Sequence, residues 1–96
     1  MELLITDRVR DKIENSHNVG FLEAEEAFFN SDIGEYLLDD RAIHQTKPPT
    51  YWTLSFTAEG RLLKLVVKFD WQANLAWLRT AYEPSKEEIE LYEANT

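Results

Sequence analysis

No cysteine occurs anywhere in the chain, and glycine, proline and methionine are scarce at three, three and one among 96 residues. Without cysteine, neither a disulfide framework nor a thiolate zinc site can form, and the absence fits a reducing cytosol. No apolar run exceeds four residues, far short of a membrane span. The opening MELLITDRVR lacks the basic segment and long apolar stretch of a secretory signal, so a cytoplasmic protein is expected. No repeat, low-complexity tract or linker divides the chain, which predicts a single domain over residues 1–96.

Acid is also scarce, but only in the middle. Residues 41–81 carry six of the ten basic side chains and two of the eighteen acidic ones, a net +4 within a chain of net −8. The first forty residues sum to −8 and the last fifteen to −4. A ligand feels the local field and not the total, so a basic strand-rich centre flanked by acidic helices is a candidate anion or phosphate surface.

What is present reads as alternating periods. Glu2 to Thr6 is a short edge strand, and Thr6 or Asp7 caps a helix whose Val9 and Ile13 share one face. Asn18 suits a left-handed helix end. Phe21 to Asn30 is a second helix with Phe21, Ala24 and Phe28 on its apolar stripe. Glu35 to Leu38 is a short strand, followed by a polar loop from Asp39 to Thr50 that leaves through Pro48-Pro49. Tyr51 to Thr57 alternates, with Trp52, Leu54 and Phe56 on one side and Tyr51, Thr53 and Ser55 on the other. Ala58-Glu59-Gly60 closes a hairpin. Arg61 to Phe69 splits Leu63, Leu65, Val67 and Phe69 from Leu62, Lys64, Val66 and Lys68. Leu75 to Glu83 is the last strand, and its buried set is either Leu75 and Trp77 or Ala76 and Leu78. Ser85 and Glu88 have capping-box spacing at the head of a C-terminal helix, with Ile89 and Tyr92 as its docking residues. The expected fold is α+β, ordered β-α-α-β-β-β-β-α, with helices on one face of a small antiparallel sheet.

Two segments carry a resemblance. Ser16-His17-Asn18-Val19-Gly20-Phe21-Leu22-Glu23-Ala24 resembles a Lys-His-Gly-Val-Ser-Phe-Glu-Glu-Ala run of BrnT-like toxins. Thr80-Ala81-Tyr82-Glu83-Pro84 resembles that family's Ser-Ala-Arg strand end, with Tyr82 where the family has arginine. The blocks His44-x-Thr46-x-Pro48-Pro49-Thr50, Gly60-Arg61-x-Leu63-Lys64 and Leu78-Arg79-Thr80-Ala81-Tyr82-Glu83-Pro84 also resemble small bacterial proteins, some of which carry an ADP-ribosyl-hydrolase type of name. The resemblance implies a RelE/BrnT-like fold and a toxin of a toxin–antitoxin system. It further implies metal-independent endoribonuclease activity and a cognate antitoxin as partner.

Metal-free RNA cleavage requires a base for the 2′-hydroxyl, cations for the phosphorane and an acid for the leaving oxygen. His44, in the long polar loop, is the central side chain whose ordinary pKa lies near neutrality. It is therefore the candidate base or acid, with Arg79 and Tyr82 completing the catalytic set. Arg41, Arg61, Lys64, Lys68 and Trp77 are the candidate substrate-binding residues, joining phosphate contacts to base stacking. The competing expectation is structural: Lys64 and Lys68 pair with helix glutamates, Trp77 packs under a loop and Tyr82 buries its ring. Asp39, Asp40 and His44 make a weak metal signature, so no metal and no cofactor are expected. RNA and an antitoxin are the expected partners, with no membrane and with self-association left open. Two alternatives come from other classes: an acidic, non-catalytic module for a basic protein, and a nucleotide or ADP-ribose binder.

Overall fold

The computed structural model describes residues 1–39 and 47–96. Its elements follow the expected order: β1 (Glu2–Leu4), α1 (Asp7–Ser16), α2 (Phe21–Asn30), a 3-10 turn (Ile33–Glu35), β2 (Leu37–Leu38), β3 (Thr50–Phe56), β4 (Leu62–Asp70), β5 (Leu75–Tyr82) and α3 (Lys86–Asn95). The fold is α+β, with one five-stranded sheet in the spatial order β1-β5-β4-β3-β2. Pairing is antiparallel throughout except for β1, which adds parallel to β5 at the edge. The sheet is therefore mixed, because the α1–α2 pair, β2, β3 and β4 all intervene before the chain returns beside its first strand. The stretch expected as a strand from Glu35 begins instead as the 3-10 turn, whose Asp32 Oδ1 accepts from Gly34 N–H at 2.8 Å.

Local chemistry accounts for the helix ends. Thr6 Oγ1 accepts from Val9 N–H at the start of α1, and Asn18 takes a φ of 53° just beyond its end. Ser85 Oγ accepts from Glu88 N–H at 3.1 Å while Glu88 Oε1 accepts from Ser85 N–H at 2.9 Å, closing the capping box on α3. Gly60 turns the β3–β4 hairpin at φ 86°, a backbone that side chains with a Cβ rarely adopt.

One sheet face is the main core. Leu63, Leu65, Val67 and Phe69 of β4 join Ala76, Leu78 and Ala81 of β5 against Ile13, Val19, Ala24, Ala27 and Phe28. Leu63, Leu65 and Val67 are each fully buried, and burial at this level stabilises by about 1.5–3 kcal/mol per large aliphatic side chain. Tyr51 packs on this face too, and not beside Lys64 as the alternation alone had allowed. The helices do not share one face. α3 lies on the opposite side, where Tyr92 packs with Trp52 and Val66 and with the half-buried Leu37 and Leu54. The Tyr92 hydroxyl meets Thr53 Oγ1 at 2.8 Å, near the place where β2 stops pairing with β3 at Trp52.

β5 changes phase along its length. Leu78 pairs with Val67, but the next β4 residue, Val66, pairs with Thr80, so Arg79 has no cross-strand partner. This bulge keeps Ala76, Leu78 and Ala81 on the core face, which an uninterrupted two-residue period could not do. It resolves the two buried sets open for this strand in favour of Ala76 and Leu78 and turns Tyr82 toward Lys64, with which it pairs. Among the described residues, no helix is long and apolar enough to cross a membrane.

Deleting Arg79 should therefore leave an uninterrupted ladder in which Ala81 stays in the core and Tyr82 stays opposite Lys64, so the deletion variant should still fold and unfold cooperatively. Arg79→Ala, which preserves the bulge, should change stability by no more than about 0.5 kcal/mol in a urea titration.

Candidate functional site

The expected site residues fall into separate groups. Lys64, on the α3 side of β4, is only 4% exposed. Its Nζ lies 2.5 Å from Glu88 Oε2 and 4.6 Å above the Trp52 ring, with the Tyr82 ring also within reach at 5.5 Å. The Tyr82 hydroxyl donates to the same Glu88 oxygen at 2.9 Å. Burial alone would raise the Glu88 carboxyl, but hydrogen bonds from Lys64, the Ser85 N–H and Tyr82 outweigh it and hold the pKa at about 2. Burial pushes the Tyr82 phenol upward, and the Glu88 carboxylate adds to that shift against the opposing pull of Lys64. This trio is a neutralised lock beneath α3, where a buried ammonium has its carboxylate, an aromatic face and a phenol. The phenol is committed to Glu88.

Arg61 serves a different joint. Its Nη1 donates to Glu23 Oε1 at 2.9 Å and to the Asn18 carbonyl at 2.9 Å, and its Nε donates to Glu83 Oε2 at 3.2 Å. The guanidinium thereby ties the α1–α2 connection and α2 to the end of β5. Glu23 is lowered from its ordinary range first by the Gly20 N–H and then by Arg61, against the effect of burial. Both Arg61 and Lys64 are thus engaged by carboxylates.

Lys68 and Trp77 are directly opposed on β4 and β5, on the α3 side of the sheet but beyond the part that α3 covers. With Pro48, Phe69, Asp70, Trp71 and Gln72 they line an open cleft of about 550 Å³, within the range of small-ligand sites. Trp71 is 59% exposed and Trp77 42%, and Trp71 stacks on Phe69 with ring centroids 4.5 Å apart at 19°. Lys68 has no ion pair among the described residues. Asp70 Oδ1 accepts from Ala73 N–H at 3.1 Å, capping the turn that carries Trp71. The cleft thus combines two exposed indoles with one ammonium. Four residues of β4 separate Lys68 from Lys64, roughly 13 Å at the rise of a strand. Tyr82 is therefore remote from it.

Arg79, the bulge residue, lines a separate cavity beside α1, where Lys12 Nζ donates to its carbonyl at 2.8 Å. Arg41 and His44 lie outside the described residues. The loop that carries them departs from Asp39, whose N–H donates to the Thr50 carbonyl at 2.9 Å, and returns through Pro48 on the wall of the cleft.

One contributor was missed in the sequence. Trp71 was absorbed into the turn after β4, although a tryptophan among Asp70, Gln72 and Asn74 is a large apolar group with little neighbouring sequence to bury it. Glu88 is legible as a cap and a helix glutamate is an expected partner for Lys64, but which glutamate takes that place is invisible in one dimension. Comparison with known proteins found no matching family model, and no curated protein matches the chain.

Glu88 is depressed below its ordinary value of 4.5, so its contribution to stability is fully present above about pH 4.5 and is lost as pH falls toward 2. The melting-temperature gap between wild type and Glu88→Gln should accordingly close over that interval. At neutral pH, Glu88→Ala should cost about 3 kcal/mol, because it strands the Lys64 charge.

Proposed function

We propose that the chain binds single-stranded RNA across the Lys68–Trp77 cleft and acts as a toxin-type, metal-independent endoribonuclease. The observation that carries this reading is the opposition of Lys68 to Trp77 in a cleft that the exposed Trp71 and Pro48 also line. Stacking on Trp71 and Trp77 tolerates any base, and an ammonium in the same cleft suits a phosphodiester. His44 is the base for the 2′-hydroxyl or the acid for the leaving oxygen, and Arg41 is a second cation from the same loop. Arg61, Lys64 and Tyr82 support the scaffold in this scheme. A protein of net −8 gains little from long-range attraction to RNA, so affinity rests on stacking at short range.

A second reading, an acidic non-catalytic module that holds a basic protein, is favoured by a different surface. Leu22, Phe29 and Phe56 are exposed where Glu26 Oε1 accepts from Ala58 N–H and Asn30 Nδ2 donates to the Phe56 carbonyl. A partner that binds without altering growth, together with intact RNA, supports this module over the nuclease.

Titration of purified protein with a short single-stranded RNA should quench tryptophan fluorescence. Trp71→Ala and Trp77→Ala should each weaken binding about tenfold or more. Lys68→Ala should lower the slope of log affinity against log salt by about 0.7, the share of one phosphate contact. His44→Ala should bind normally and fail to cleave. Wild-type protein that leaves RNA intact and its fluorescence unchanged sinks the proposal.

A further inference from the structure

Three cations outside that cleft gather at one place. Arg8 and Lys12, four residues apart on α1, share a stripe of the helix. Both line a cavity of about 510 Å³ together with Arg79, Thr6, Val9, Trp77 and Leu78. No carboxylate belongs to this lining. Among the described residues none comes within ion-pair distance of the three cations, whereas Arg10, Arg61 and Lys64 each have an acidic partner. Asp7 and Asp11 alternate with the cations along α1 but lie outside the cavity wall.

The arrangement is built by the backbone. A bulge re-aims a side chain away from the regular ladder, and here it inserts Arg79 as the extra residue of β5. β1 pairs with β5 only as far as Trp77, which leaves the edge of β5 beyond that point to α1. Lys12 Nζ fills part of it by donating to the Arg79 carbonyl at 2.8 Å. An ammonium has three N–H groups, so two are left for another acceptor. Partial burial, then Arg79, then Arg8, depress the Lys12 pKa. Like charges held together without a counter-ion are the electrostatic complement of an anion.

We propose that Arg8, Lys12 and Arg79 form a binding site for a phosphomonoester dianion, with Trp77 as an adjoining wall for the ring of a nucleoside 5′-monophosphate. Three positive charges suit a dianionic terminal phosphate better than the single charge of a phosphodiester. Arginine supplies the planar fork that phosphate oxygens accept, and lysine a point charge. Trp77 lines this cavity as well as the Lys68 cleft, which places an aromatic edge next to the phosphate position. The anion-binding part, Arg8, Lys12 and Arg79, does not depend on the proposed RNA cleft, whereas Trp77 is shared with it.

Inorganic phosphate, AMP and adenosine are the probes, followed by backbone amide NMR of the full chain at constant ionic strength. Phosphate and AMP should shift the amides of Thr6 to Lys12 and of Trp77 to Thr80. AMP should bind about tenfold more tightly than inorganic phosphate through stacking, and adenosine should leave the α1 amides unmoved. Equal affinity for phosphate and AMP would retain the anion site and remove the ring from the proposal. Arg79→Gln and Lys12→Gln should abolish the shifts while keeping the wild-type melting temperature. Their failure to do so, or α1 amides that stay still at 20-fold excess over ~1 mM protein, overturns the site. Loss of RNA binding in Trp71→Ala with AMP binding retained separates this site from the proposed RNA cleft.

Discussion

The single extra residue in β5 is the constraint on which the rest of the molecule depends. Val67 faces Leu78 and Val66 faces Thr80, with Arg79 left over. Before the bulge the even-numbered residues Ala76 and Leu78 are buried, and after it the odd-numbered Ala81 is. The phase change lets the strand keep small and aliphatic residues under α1 and α2 along its whole length. It also turns the Tyr82 phenol into the lock beneath α3 and sends the Arg79 guanidinium sideways to α1.

Charge is organised by the same geometry. The basic centre of the sequence does not form one positive face. Arg61 and Lys64 are taken up by carboxylates from α2, α3 and the end of β5, and each closes a joint between elements distant in sequence. A buried lysine would be costly alone, and Glu88, Trp52 and Tyr82 together make it tolerable. Among the described residues Lys47, Lys68, Lys86 and the group of Arg8, Lys12 and Arg79 have no ion pair, and of these Lys68 and the α1 group line cavities. They lie on either side of Trp77, which lines both cavities.

Covering half of a sheet face produces the open cleft. α3 is ten residues long and shelters Trp52, Val66 and Leu54, while Lys68 and Trp77 extend past it. Exposed tryptophans are otherwise hard to reconcile with so small a core, and Trp71 adds a second beside the first. In both the RNA and the nucleotide reading, these indoles supply contact area and the neighbouring cations supply orientation.

Much of the architecture was legible in the amino-acid order itself. The alternation of Leu63, Leu65, Val67 and Phe69, the capping pair Ser85 and Glu88, the left-handed Asn18 and the boundaries of α2 all follow from periods and caps acting over a few residues. Lys68 and Trp77 were named as binding candidates from residue type, but their direct opposition was not. The side of the sheet taken by α3, the parallel docking of β1 and the bulge at Arg79 were decided only in three dimensions. So were the ion pairs, which join residues 24 positions apart in Lys64–Glu88 and 38 apart in Arg61–Glu23. Backbone periodicity is a local property, whereas neutralisation of a charge depends on which distant carboxylate the packed chain brings within hydrogen-bond reach.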